Sequence, residues 1–118
     1  MTTPTLQIAI DAGDPHLLNR FLSEVMGYEI EDHHDGVIEI VGAGYASFDD
    51  DTIEIDRRRA WKSAAACRPR DGVGPRLLFQ HVSETKSVKN RVHLDVNVAD
   101  DRRHAEVERL VGLGATPP

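Results

Sequence analysis

Arg91-Val92-His93-Leu94-Asp95-Val96-Asn97-Val98 is the stretch that decides how this chain is read. Val92, Leu94, Val96 and Val98 alternate with His93, Asp95 and Asn97, the period of two that marks a half-buried strand. Asp100-Asp101 follows as a helix cap, then Val107, Leu110 and Val111 at helical spacing, then Gly114. The same succession stands near the other end. Leu6, Ile8 and Ile10 alternate with Gln7, Ala9 and Asp11. Asp14-Pro15 then supplies an N-cap and a first helical residue. Leu17, Leu18, Phe21, Leu22, Val25 and Met26 fall on one helical face, and Gly27 closes it as a left-handed cap. The chain therefore carries an internal repeat of strand, acidic cap, amphipathic helix and glycine.

Between the two copies the pattern predicts a short strand over 28–31 and a turn at Asp32-His33-His34-Asp35-Gly36. Residues 37–44 read as either a short helix or a strand. Asp49-Asp50-Asp51 reads as a helix start running on to residue 62, against which the β-branched Thr52, Ile53 and Ile55 speak. Residues 33–62 are taken as an insert covering one side of a sheet. Residues 63–67 and 75–82 read as a hairpin joined through Pro69-Arg70-Asp71-Gly72-Val73-Gly74.

At 118 residues the chain has the size of one domain. It is 40% hydrophobic and 29% charged, which argues for a packed core against disorder. No apolar run approaches the roughly 18 residues of a membrane span. The first residues carry neither a basic nor an apolar signal region, and Cys67 is the one cysteine. A cytoplasmic protein without disulfides is expected. The net charge of -6 makes nucleic acid a poor partner. Basic residues nonetheless gather between 57 and 91, as a solvated face or as a cationic rim for an anionic small molecule.

The order β-α-β-(insert)-β-β, then β-α, resembles the vicinal oxygen chelate superfamily of glyoxalase I, extradiol dioxygenases and bleomycin-resistance proteins. The resemblance is carried by Ile10-Asp11-Ala12-Gly13-Asp14-Pro15 with Phe21, and by Gly74-Pro75-Arg76-Leu77-Leu78-Phe79-Gln80. Lys86, Lys89-Asn90-Arg91-Val92-His93-Leu94-Asp95 and Leu113-Gly114-Ala115-Thr116 extend it, closest to glyoxalase-like domain proteins. It implies an α+β fold of paired βαβββ modules in a cupped mixed sheet, with helices on the convex face and the second module incomplete. Residues 1–82 would form the first module and 90–118 the start of the second, within one domain. Leu6, Ile8, Ile10, Val92, Leu94, Val96 and Val98 would pack on the helices. Gln7, Ala9, Asp11, His93, Asp95 and Asn97 would face the cup.

The resemblance also implies metal-ligand positions at Gln7, near Gln80 and at His93. His93 is the one good ligand of these, so no cofactor is established and a divalent ion is only a candidate. Gln7, Gln80, His93 and Asp95 are candidate ligand-binding groups of the cup floor. Trp61 is a candidate wall or a packing residue. Lys86, Lys89 and Arg91 are a candidate rim for a carboxylate or phosphate. Asp32-His33-His34-Asp35 reads as a solvated turn, because adjacent side chains on an extended segment point apart. Cys67 reads as a buried, inert thiol.

Three functions stay open. One is a glyoxalase-like small-molecule-binding protein without secure catalytic activity. Another is a metal-dependent lyase or dioxygenase whose ion polarises paired substrate oxygens. The third is an interaction module pairing through its open sheet edge. A homodimer is the expected assembly.

Overall fold

The computed structural model describes residues 3–117, which divide into two compact units, 3–84 and 85–117.

The first unit is a βαβββ module with an insert. β1 (Gln7–Ala12) leads into α1 (Pro15–Met26) and β2 (Glu29–Ile30). The insert then runs through α2 (His34–Gly42), α3 (Phe48–Asp51), β3 (Thr52–Ile55) and β4 (Arg58–Trp61). β5 (Ala64–Arg68) and β6 (Arg76–His81) complete the main sheet, in the order β1-β6-β5-β2. β1 runs parallel to β6, with Gln7 opposite Arg76 and Asp11 opposite Gln80. The remaining pairs are antiparallel. This is the α+β fold expected, as an open and not a closed sheet.

α1 forms where its caps predict. The Asp14 side chain accepts from the Leu17 N–H at 3.1 Å, and Gly27 takes φ +67° at the other end. There the Tyr28 N–H returns to the Ser23 carbonyl at 2.9 Å, closing the orphan acceptors of the last turn. The buried stripe is rotated from the predicted one. Leu18 and Leu22 pack on the core and Val25 is buried, but Leu17 and Met26 are exposed, while Asn19 and Ser23 are buried. The core is Cys67, Leu77 and Phe79 with Ile8, Ile10, Leu18, Leu22 and Tyr28 against it. Ile8 and Ile10 thus face the helix and Gln7, Ala9 and Asp11 face outward, as the alternation requires. Leu6 stands before the first ladder pair and is exposed instead of packed.

The insert departs most from expectation. A helix over 49–62 does not form. Only one turn, Phe48–Asp51, is helical, and the β-branched residues after it build the β3–β4 hairpin. Its two-residue loop, Asp56 and Arg57, has φ +50° and +66°. Two left-handed residues are what a tight hairpin turn demands, usually from Asn-Gly or Asp-Gly. Residues 37–42 resolve to helix, and α2 begins at His34, inside the predicted turn.

In the second unit a short 3-10 turn (Asp100–Arg102) leads into α4 (Arg103–Gly112), where the acidic cap predicts a helix. The strand predicted over 91–98 is absent. No described strand pairs with this segment, and a strand without a ladder partner leaves its backbone groups unpaired. Val92, Leu94, Val96 and Val98 are all exposed, and only Val96 and Val98 stand beside α4, sharing a concavity with Val107 and Leu110.

Candidate functional site

Within residues 3–84, the outward face of β1 and β6 is polar at its two ends, with Ala9 and Leu78 between them. At one end Arg76 is gripped by Glu31, through Nε to Oε2 at 2.6 Å and Nη2 to Oε1 at 2.8 Å. Its Nη1 donates to Gln7 Oε1 at 2.8 Å. His33 adds a bond from Nε2 to Glu31 Oε1 at 3.0 Å. The Arg76 hydrogen bonds, and then that of His33, hold the Glu31 carboxyl down at about 2 against the opposing effect of burial. The same pairing raises Arg76. Asp11 and Gln80 form the other end, both exposed. Trp61 ends β4 half-buried, and its carbonyl accepts from His16 Nε2 at 2.7 Å.

Gln7 and Gln80 do not converge. Four register positions separate them along the β1–β6 ladder, or about 13 Å at the strand rise. Gln7 Oε1 is moreover already bound to a guanidinium, which repels a cation. Among the described residues no three His, Cys, Asp or Glu side chains gather where they could hold a metal ion. The donors present do not fit a divalent ion.

Within residues 85–117, an open concavity of about 600 Å³ is lined by Val88, Lys89, Asn90, Arg91 and His93. The structure therefore brings three of the sequence-predicted residues together. Lys86 instead folds back to donate to the Val88 carbonyl. Asp95 is exposed and does not line the concavity.

A third feature was not legible as a site. α1, β2, the insert and the start of β5 border an open cavity of about 230 Å³, lined among others by His16, Asn19, Glu31, His33, Asp56 and Arg58. The histidines of the predicted solvated turn are structural. His33 holds Glu31, and His34 Nδ1 accepts from the Arg59 N–H at 2.8 Å. Their divergence agrees with the argument that the two do not meet one ion. Asp32 accepts from the His34 N–H and pairs with Arg58 at 2.5 Å, and these contacts lower its pKa. Cys67 is fully buried, and burial pushes its thiol up to about 11, so it is no nucleophile.

The βαβββ order and the open polar sheet face define the vicinal oxygen chelate class. A family model described as a glyoxalase-like domain matches residues 7–118, and the chain belongs to that family. Neither a curated protein nor a solved structure gives a significant match. No helix among the described residues is long and apolar enough to cross a membrane.

Proposed function

We propose that this chain is a glyoxalase-like small-molecule-binding protein that takes a small anionic ligand. The observation that carries this is the concavity bearing Lys89, Arg91 and His93 with no carboxylate in its lining. Arg91 offers a planar fork that suits a carboxylate, and Lys89 a compact charge beside it. His93 adds a ring donor, and Asn90 an amide of either polarity. Lys86 and Asp95 belong to the same candidate set on sequence grounds, as the third cation and as a polar partner on the alternation that carries His93. In residues 3–84, Gln7 and Gln80 are exposed amides on the outward sheet face and Trp61 is a half-buried aromatic of the insert hairpin, and the three belong to the candidate set on sequence grounds.

No catalytic step is assigned. The lyase or dioxygenase reading needs an ion that the described donor set does not fit. Malonate is a suitable probe in isothermal titration. Saturable binding that weakens about tenfold in Arg91→Ala, as loss of a charge-assisted hydrogen bond implies, supports the reading. Equal binding by the variant, or none by either, sinks it.

A second reading has its own observation. Val92, Leu94, Val96 and Val98 are 77, 52, 45 and 40% exposed on a segment with strand alternation and no ladder. Pairing of this segment with a second copy would cover them and yield the homodimer expected from sequence. Sedimentation of the wild type against Val96→Lys tests it. A dimer that persists unchanged in the variant refutes it.

A further inference from the structure

β1 is an outermost strand of the main sheet, and its outer edge is unpaired among the described residues. The Ala12 carbonyl accepts from the Val82 N–H at 3.0 Å, so Ala12 turns its backbone groups toward β6. The N–H and C=O of a strand residue point to the same side, and successive residues alternate. Ile8 and Ile10 therefore bond β6 as well, and Gln7, Ala9 and Asp11 present their N–H and C=O groups at the open edge. No described group bonds them there. The edge also lacks the usual protection against pairing. Its ladder with β6 runs without a bulge from Gln7 to Ala12, and the stretch holds neither proline nor lysine.

The side chains along this edge match their own reverse. Gln7 Oε1 accepts from Arg76 Nη1 at 2.8 Å, and a guanidinium only donates. The amide orientation is thereby fixed, and Nε2 is left as a donor with no described acceptor. Asp11, exposed on the same outward face, is an acceptor with no described donor. Ala9 stands midway between them. A second β1, turned end for end about an axis through Ala9 and normal to the sheet, would set Gln7 opposite the partner's Asp11. Ile8 would face the partner's Ile10, and Leu6, 70% exposed, would meet the partner's Ala12. A slip of two residues breaks the Gln7–Asp11 match, and a slip of one turns the apolar side chains to the wrong face.

We propose that the open edge of β1 is a docking surface for a second copy of this chain, joined antiparallel across a two-fold axis at Ala9. The contact is isologous, since each Gln7 meets the partner's Asp11 and each Asp11 the partner's Gln7. Backbone groups of Gln7, Ala9 and Asp11 carry the affinity, as in any strand added to a sheet edge, and the Gln7–Asp11 pairs fix the register. The two main sheets become one, with α1 of each copy on the same side. The Gln7–Arg76 end of one outward face then stands beside the Asp11–Gln80 end of the other. This surface belongs to residues 3–84 and rests neither on the exposed segment 91–98 nor on the anion reading.

The test is sedimentation of the whole chain as wild type, Ala9→Pro and Val96→Lys. Proline at position 9 removes an N–H that faces the edge and not β6, so the β1–β6 ladder keeps its bonds. The wild type is expected as a dimer and Val96→Lys as the same dimer. Ala9→Pro should weaken it about thirtyfold, as loss of the two Ala9 N–H bonds implies. Cysteine cross-linking gives a readout that needs no proline, and the buried Cys67 does not interfere. Under mild oxidation Ala9→Cys should form a covalent dimer. Gln7→Cys should not, because about 13 Å along the strands parts the two copies of that position. Mixing Gln7→Cys with Asp11→Cys should restore the cross-link. A monomeric wild type overturns the proposal, as does a dimer that Ala9→Pro leaves unchanged, or equal cross-linking at positions 7 and 9. A dimer lost in Val96→Lys and kept in Ala9→Pro assigns the contact to residues 91–98 and overturns it equally.

Discussion

Replacing Glu31 by Gln isolates the ion pair that ties the end of β2 to β6. The carboxyl stands at about 2 instead of 4.5, with the Arg76 hydrogen bonds the largest cause. At about 1.4 kcal/mol per pH unit that depression corresponds to roughly 3 kcal/mol of stability. The Arg76 side chain is 35% exposed, so solvent screens part of it, and about 1–2 kcal/mol is the expected net contribution. The sign follows from linkage. A carboxyl whose pKa is lowered on folding contributes fully above about pH 4.5 and loses its contribution as pH falls from there through 2. Urea unfolding of the wild type and Glu31→Gln should therefore differ by about 1–2 kcal/mol at pH 7, nearly as much at pH 5, and by little at pH 2. Taking the difference cancels the other carboxylates, Asp32 among them. A gap that stays constant from pH 7 to pH 2, or that is absent at pH 7, would refute the assignment.

Other expectations follow from single residues. Arg57→Gly relieves a left-handed arginine at about 1–2 kcal/mol but adds glycine's chain entropy, for a net gain of about 0.5 kcal/mol and roughly 2–4 °C in Tm by calorimetry. Gly74→Ala should cost about 1–2 kcal/mol in urea unfolding, because φ is +118° and the new methyl would stand 3.2 Å from the Tyr28 hydroxyl. Cys67 should resist a thiol reagent at pH 8 in the native protein and react at once in denaturant; rapid native labelling would contradict its burial.

The parts of the fold that were legible in the sequence are those fixed by local chemistry. Asp14-Pro15 and Gly27 bound α1, and Leu77 and Phe79 place the inward face of β6. The β3–β4 hairpin was hidden because Asp56-Arg57 lacks the glycine that usually signals such a turn, while the acidic run before it signals a helix. Residues 91–98 carry a strand's pattern, but pattern supplies only side-chain placement. The ladder partner is a tertiary matter, and no described strand provides one.

The site was partly legible. Lys89 and Arg91, expected with Lys86 as a rim, line one concavity with His93, expected on the floor with Gln7 and Gln80, while Gln7 and Gln80 are separated by a register that sequence does not give. The insert cavity had one readable signal. Asn19 sits among Leu18 and Leu22, where a buried amide on an apolar stripe asks for partners. The Arg76–Glu31 pair spans residues too distant in the chain for any spacing rule.

The most direct test of the account is an amide chemical-shift titration with malonate. The amides of residues 88–93 and the His93 ring should move together along one saturable curve at millimolar concentration, with that curve shifted to about tenfold higher malonate in Arg91→Ala. Shifts that are absent, or that rise linearly across the whole surface, would contradict an anion-binding site there.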